Sequence, residues 1–355
     1  MTKPAVLWQQ LQQAGLVSGP LPAPADQQQQ AFFLRLLLGL SGWLSAVFFT
    51  GFISVFFINV FSTIGSIWMV GLLLCLLSVV LSHRTYGSIL LQQFVFACSL
   101  AGQAQIVLAV LDNSQNQQLA AATALLLAML LFFLIRLRSH RSLSAFLACA
   151  ALFILLGQQA WLYAFPALCA AVVWLWLQQM RLHQSPNLLQ PAASGLTLAV
   201  WLAIYWALLI NSSFMGWWNL EPKQWQSQLW IAAALSSMVC FAFAWQLIGQ
   251  SIQQAKLRYL ALLVSLAVSL LNLKMLGLAP LCLLLTIGIA HTQTRLIWFN
   301  LCCLAAYLML YYYSLNHTLL YKSIVLSFSG ALLLLLYVVL NHFLRQQTDQ
   351  ANPHA

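Results

Sequence analysis

Residues 142–177 read SLSAFLACAALFILLGQQAWLYAFPALCAAVVWLWL, and residues 259–290 read YLALLVSLAVSLLNLKMLGLAPLCLLLTIGIA. The number of helices in each stretch decides the architecture. The first is apolar except for Gly157-Gln158-Gln159 near its middle, the second except for Asn272 and Lys274. As one straight helix, residues 142–177 would run about 54 Å, well beyond a bilayer core of about 30 Å. Two tight hairpins of short helices fit better. Gly157 and Gly277 sit at the turns, where a conformationally permissive residue is wanted.

Outward from these stretches, the chain gives twelve candidate spans: about 36–57, 61–82, 88–111, 118–135, 142–156, 160–177, 195–213, 228–249, 259–273, 275–290, 296–313 and 323–341. A spanning helix needs about 20 apolar residues. The predicted fold class is therefore all-α, a polytopic transmembrane helical bundle. Residues 1–30 read as a short cytoplasmic helix and polar linker, 31–342 as the bundle and 343–355 as a cytoplasmic tail. Pro20, Pro22 and Pro24 stand where a signal peptide would need its apolar core.

Composition leads to the same class. Of 355 residues, 63% are hydrophobic and 5% charged, against about 25% charged in soluble domains. So little polar surface cannot cover a water-exposed core. With a cytoplasmic N-terminus, eleven of the 14 basic residues fall on the cytoplasmic side, and only Lys223, Lys274 and Lys322 fall outside. That is the bias of cytoplasmic loops in membrane proteins. Reading 259–290 as a single helix weakens the split to ten against four. The net charge of +10 forms no dense basic run, so membrane lipids are the expected partner and nucleic acid is not. A bacterial inner membrane, with both termini cytoplasmic, is the expected location.

The rhythm of short and long connections suggests three four-helix units. Each has a longer outer loop between its third and fourth helices, near Asp112, Glu221 and His317, and the basic joints Arg136–Arg141 and Lys256–Arg258 separate the units. Repeats of this kind are common in transporters.

The ending Leu320-Tyr-Lys322-Ser-Ile-Val-Leu-Ser-Phe-Ser-Gly330-Ala precedes a Leu-rich helix, and the opening Leu7-Trp-Gln-Gln-Leu-Gln-Gln-Ala-Gly15-Leu-Val17 precedes a Pro-rich linker. In these motifs and in its layout, the chain resembles domain-of-unknown-function family 4401, which is akin to the family numbered 2157. The resemblance implies an uncharacterised bacterial inner-membrane protein and carries no activity. It also implies a partner, a small membrane-anchored envelope protein named for a Gly-Asp-Tyr motif.

Chemistry inside a membrane usually needs ionisable groups at depth. No Asp or Glu falls within a predicted span. His-Glu-x-x-His, Gly-x-x-x-x-Gly-Lys and Gly-x-Ser-x-Gly do not occur. The eight cysteines all lie in apolar stretches without Cys-x-x-Cys, and they read as small hydrophobes. No cofactor, metal or catalytic residue is indicated.

Two polar sets remain as candidates for a cavity or polar path. Lys274, with Asn272 beside it, is either a lysine snorkelling to the outer interface or a cation lining a cavity for an anionic group. Gln92, Ser99 and Gln103 fall within about 40° of one another on the third span. They form either interhelical glue or a wetted path, with Gln93 and Gln105 off the stripe. His83-Arg84 and His140-Arg141 read as cytoplasmic loop signals able to touch anionic lipid. The aromatics Trp217, Trp218, Trp225, Trp230 and Tyr311–Tyr313 read as an interfacial belt.

Three functions are open. A non-enzymatic subunit or scaffold of an envelope system comes first, then a transporter of a small or anionic solute. A lipid-linked enzyme is third, because the outer loops offer only Asp112 and Glu221 as acids.

Overall fold

The computed structural model describes residues 32–61, 67–83, 88–160, 162–181, 186–211, 223–251, 255–290 and 293–314, with isolated positions 12, 320, 323, 324 and 327. The N-terminal helix and linker, the last predicted span and the tail lie outside the described stretches. Glu221, His317, Lys322, Trp217 and Trp218 lie there too.

Eleven α-helices occur among the described residues: α1 Phe32–Phe61, α2 Ile67–Ser82, α3 Ile89–Ser114, α4 Gln117–Leu134, α5 Arg138–Leu156, α6 Ala164–Arg181, α7 Pro186–Asn211, α8 Lys223–Ser251, α9 Ala255–Asn272, α10 Leu278–Ala290 and α11 Thr294–Ser314. Each occupies one of the first eleven predicted stretches. Eight are long and apolar enough to cross a membrane, while α2, α6 and α10 supply shorter apolar segments.

Both stretches break into two helices at the expected glycines. After α5 the chain turns at Gly157 (φ +56°) through a single 3₁₀ turn, Gly157–Ala160. After α9 it turns at Gly277 (φ +107°). A Cβ at Gly277 would stand 2.5–3.0 Å from the Ile204 side chain on α7. Glycine is therefore needed there for space as well as for φ.

The connection after α3 differs from expectation. Instead of a longer loop around Asp112, α3 continues through Asp112 to Ser114, and only Gln115 and Asn116 separate it from α4. Gln115 takes φ +52° and donates its N–H to the Leu111 carbonyl at 2.8 Å, closing α3. Asn116 then caps α4, its side-chain oxygen accepting from Gln118 N at 2.9 Å and Leu119 N at 3.3 Å. Polar residues that look like a loop in the sequence are serving as two helix caps.

The chain divides into two compact units at Ala109/Val110, inside α3. The division follows neither of the basic joints that would bound three four-helix units. α4 and α5, which that scheme assigns to different units, pack against each other.

In the first unit, α2 and α3 approach closely. A Cβ at Gly71 would meet the Gly102 carbonyl at 2.7 Å, and one at Gly102 would meet the Gly71 carbonyl equally closely. Small residues let membrane helices come this near. Ala46, Val70, Leu74, Ala97 and Cys98 form the buried cluster here. Along α1 large side chains stay exposed, Phe48 at 71% and Phe52 at 73%.

The second unit holds the larger core, with Phe165, Trp176, Val200, Ile204, Leu284 and Tyr307 among its buried members. α10 lies inside it, packed against α6, α8, α9 and α11. That enclosure matches its sequence, which is apolar on every face. Where α5 crosses α7, a Cβ at Gly195 would collide with the Ser142 carbonyl. The hydroxyls of Ser142 and Ser194 meet beside this crossing at 2.8 Å. All eight cysteines are free thiols.

Candidate functional site

Helix length builds the site. α8 has 29 residues and α10 only 13, about 43 Å against about 20 Å. The α9–α10 turn therefore stops short of its longer neighbour. α8 begins six residues before Leu229, about 9 Å further along the axis. A recess of about 150 Å³ remains over the turn. Leu229 and Trp230 of α8, Lys274 and Leu276 of the turn, and Tyr311 and Ser314 of α11 line it, with the end of α7 closing one side.

Lys274 is exposed at this recess. Asn272 is not part of it. Its side chain is fully buried and points the other way in function: it holds the turn together. Its amide nitrogen donates toward the Ala233 carbonyl at 3.2 Å and the hydroxyls of Ser236 and Ser237 at 3.2 and 2.9 Å. Its amide oxygen accepts from Gly277 N at 2.9 Å and Ala279 N at 3.0 Å. Leu278 N donates to the Met275 carbonyl at 3.0 Å, and Pro280 has no N–H. The donors that begin a helix normally lack intrahelical partners. At α10 these are taken up within the turn. The Tyr307 hydroxyl also donates to the Leu276 carbonyl at 3.2 Å.

The glutamine stripe lies on α3 in the first unit, whereas Lys274 and Asn272 belong to the second. Ser99 and Gln103 are buried, and Gln103 donates to the Ser99 hydroxyl at 3.4 Å within α3. Gln92 is half-buried near the start of that helix. The two glutamines off the stripe bridge helices. Gln105 donates to Ser54 of α1 at 2.8 Å, and Gln93 accepts from Trp43 Nε1 at 3.1 Å. These two bonds are polar glue between helices.

His140 and Arg141 are not loop residues. Both are buried in the first turn of α5. Arg141 Nε lies 3.1 Å from the carbonyls of both Phe132 and Ile135 at the end of α4. Its guanidinium also sits 6.0 Å from the centre of the Phe132 ring. A cation on the last carbonyls of a helix is favoured by their partial negative charge. His140 Nδ1 pairs with the Ser144 hydroxyl at 3.2 Å. Among the described residues, no three His, Cys, Asp or Glu side chains gather as metal ligands.

A family model described as a domain of unknown function (DUF4401) matches residues 31–343. The chain belongs to the DUF4401 family. The DUF4401 match takes in every helix from α1 to α11, with both glycine turns and the recess at Lys274. No curated protein and no solved structure matches the chain.

Sequence reasoning found Lys274 but not its company. Trp230 and Tyr311 read as members of an interfacial belt, and Ser314 drew no attention. The available signal was the length mismatch between 275–290 and the helices around it, which leaves space over a short hairpin.

Proposed function

We propose that the protein is a multi-pass protein of the bacterial inner membrane, with about twelve crossings and both termini cytoplasmic. Within that membrane it acts as a non-enzymatic subunit or scaffold of an envelope system, beside a small membrane-anchored partner. The outward face of α1 carries the reading. Leu40, Leu44, Val47, Phe48, Phe52 and Val55 are all at least 60% exposed. In water such a continuous apolar face invites aggregation. In a bilayer it is ordinary helix surface, open to lipid or to a helix of another protein. The polar side chains of the second unit support the same view, because the buried Asn272 and Arg141 and the half-buried Ser142 hold helices together. Purification in mild detergent followed by mass spectrometry tests the proposal. A stable stoichiometric membrane partner is expected. A protein that remains alone and moves a solute across liposomes would overturn it.

Transport of an anionic solute is the second reading, favoured by the recess at Lys274. Against it stands the α9–α10 break. Broken helices in transporters aim free backbone groups at the substrate, and here Asn272 occupies Gly277 N and Ala279 N. Flux of organic anions into liposomes, compared between wild type and Lys274→Gln, separates the readings.

A further inference from the structure

We propose that the recess at Lys274 binds the phosphodiester headgroup of an anionic phospholipid. The inference rests on the membrane location proposed above, not on the scaffold role. Lys274 brings one positive charge, and Asp112, in the last turn of α3, is the one carboxylate among the described residues. No ion pair of Lys274 occurs among the described residues. One ammonium balances one negative charge, which a phosphodiester carries and a phosphomonoester exceeds. Trp230 adds an indole, a donor without acceptor capacity, and its amphipathic ring suits the headgroup depth of a bilayer.

The rest of the lining is apolar, including Leu229, Leu273 and Leu276. Such walls suit the glycerol and first methylenes of a lipid better than a fully hydrated ion. Leu270 and Leu271, on the last turn of α9 just before Lys274, are exposed at 59% and 53% and offer a surface for the acyl chains. A recess of about 150 Å³ admits a headgroup and leaves those chains outside. The N-terminus of α10 supplies no donors, since Asn272 and Met275 have taken them. Recognition of the charge therefore falls to the Lys274 side chain, and the test falls on it too.

The test uses the full chain purified in a neutral detergent. Phosphatidylglycerol, phosphatidylcholine and glycerophosphoglycerol, the same diester without acyl chains, are titrated separately and read by native mass spectrometry. Retention of one phosphatidylglycerol in preference to phosphatidylcholine is expected. Lys274→Gln should weaken it about fivefold, the effect of one interfacial cation on an anionic lipid. Lys274→Arg should keep binding, and Lys256→Gln, at the other end of α9, should leave it unchanged. Equal retention by wild type and Lys274→Gln overturns the site. Glycerophosphoglycerol binding as tightly as the lipid would assign the recess to a soluble phosphodiester and overturn the lipid source. Failure of the membrane location is a separate result, release of the protein from membranes by an alkaline wash.

Discussion

The side-chain amide of Asn272, at the end of α9, lies 3.2 Å from the backbone carbonyl of Ala233 in the middle of α8. Through this contact and its bonds to Gly277 N and Ala279 N, one buried residue ties a hairpin to its neighbour and starts the next helix. Replacing it with leucine keeps the branched side-chain shape and strands two buried N–H groups. Each orphaned group costs about 1–3 kcal/mol, although polar contacts in membranes have averaged about 0.6 kcal/mol. We expect Asn272→Leu to lower stability by about 2 kcal/mol, measured by denaturation in mixed micelles. Wild-type stability in that variant would mean that the network holds nothing.

The two turn glycines should respond unequally to alanine. Both hold positive φ, at +56° for Gly157 and +107° for Gly277, a conformation that costs a side chain about 1–3 kcal/mol. Nothing lies within 4 Å of a Cβ at Gly157, whereas one at Gly277 runs into Ile204. Gly157→Ala should therefore show the backbone cost alone, and Gly277→Ala clearly more. Trimming the obstacle in the double variant Gly277→Ala with Ile204→Ala should give less destabilisation than the two single changes added. Strict additivity would show that no clash exists.

Those glycines were legible before the structure, and so were eleven helices, because hydropathy and the reach of a helix set where a span can begin and end. Orientation within a run of polar residues was not. His140 and Arg141 look like any basic loop pair, yet a helix starting at Arg138 turns both inward. Asp112 looks like loop and lies on a helix that Gln115 closes three residues later. Asn272 and Lys274 are two positions apart, and one is buried glue while the other faces the recess. Which side of a backbone meets a neighbour is a property of packing, and one sequence does not carry it.

Arg141 offers a test of that packing. Its guanidinium bridges two carbonyls that close α4, and hydrogen bonds to charged groups contribute about 1.5–3 kcal/mol each way they are counted. Arg141→Leu is expected to destabilise the protein by about 2 kcal/mol. Arg141→Lys should recover only part of the loss, since both contacts come from Nε, a donor set back along the side chain that lysine, with its one terminal ammonium, lacks. Arg136 is exposed in the same joint, so Arg136→Gln should stay within about 0.5 kcal/mol. Equal losses at positions 136 and 141 would leave only the shared charge, and no specific cap, as the explanation.

The last prediction concerns the side of the membrane on which Lys274 lies. In the proposed topology the α9–α10 pair is a hairpin that returns the chain to the side where it started. If Lys256 and Arg258 at the start of α9 are cytoplasmic, as proposed, the turn faces the periplasm and, with twelve crossings, the chain beyond residue 345 faces the cytoplasm. A cytoplasm-active reporter fused after residue 345 is expected to work. In a background with the eight native cysteines replaced by alanine, Lys274→Cys should react with a membrane-impermeant maleimide added to intact cells, because residue 274 is exposed in its recess. Asn272→Cys in the same background should stay unlabelled, being fully buried only two residues away. Labelling of both positions, or of neither, would break the proposed placement of the turn, and a silent reporter would break the count of crossings behind it.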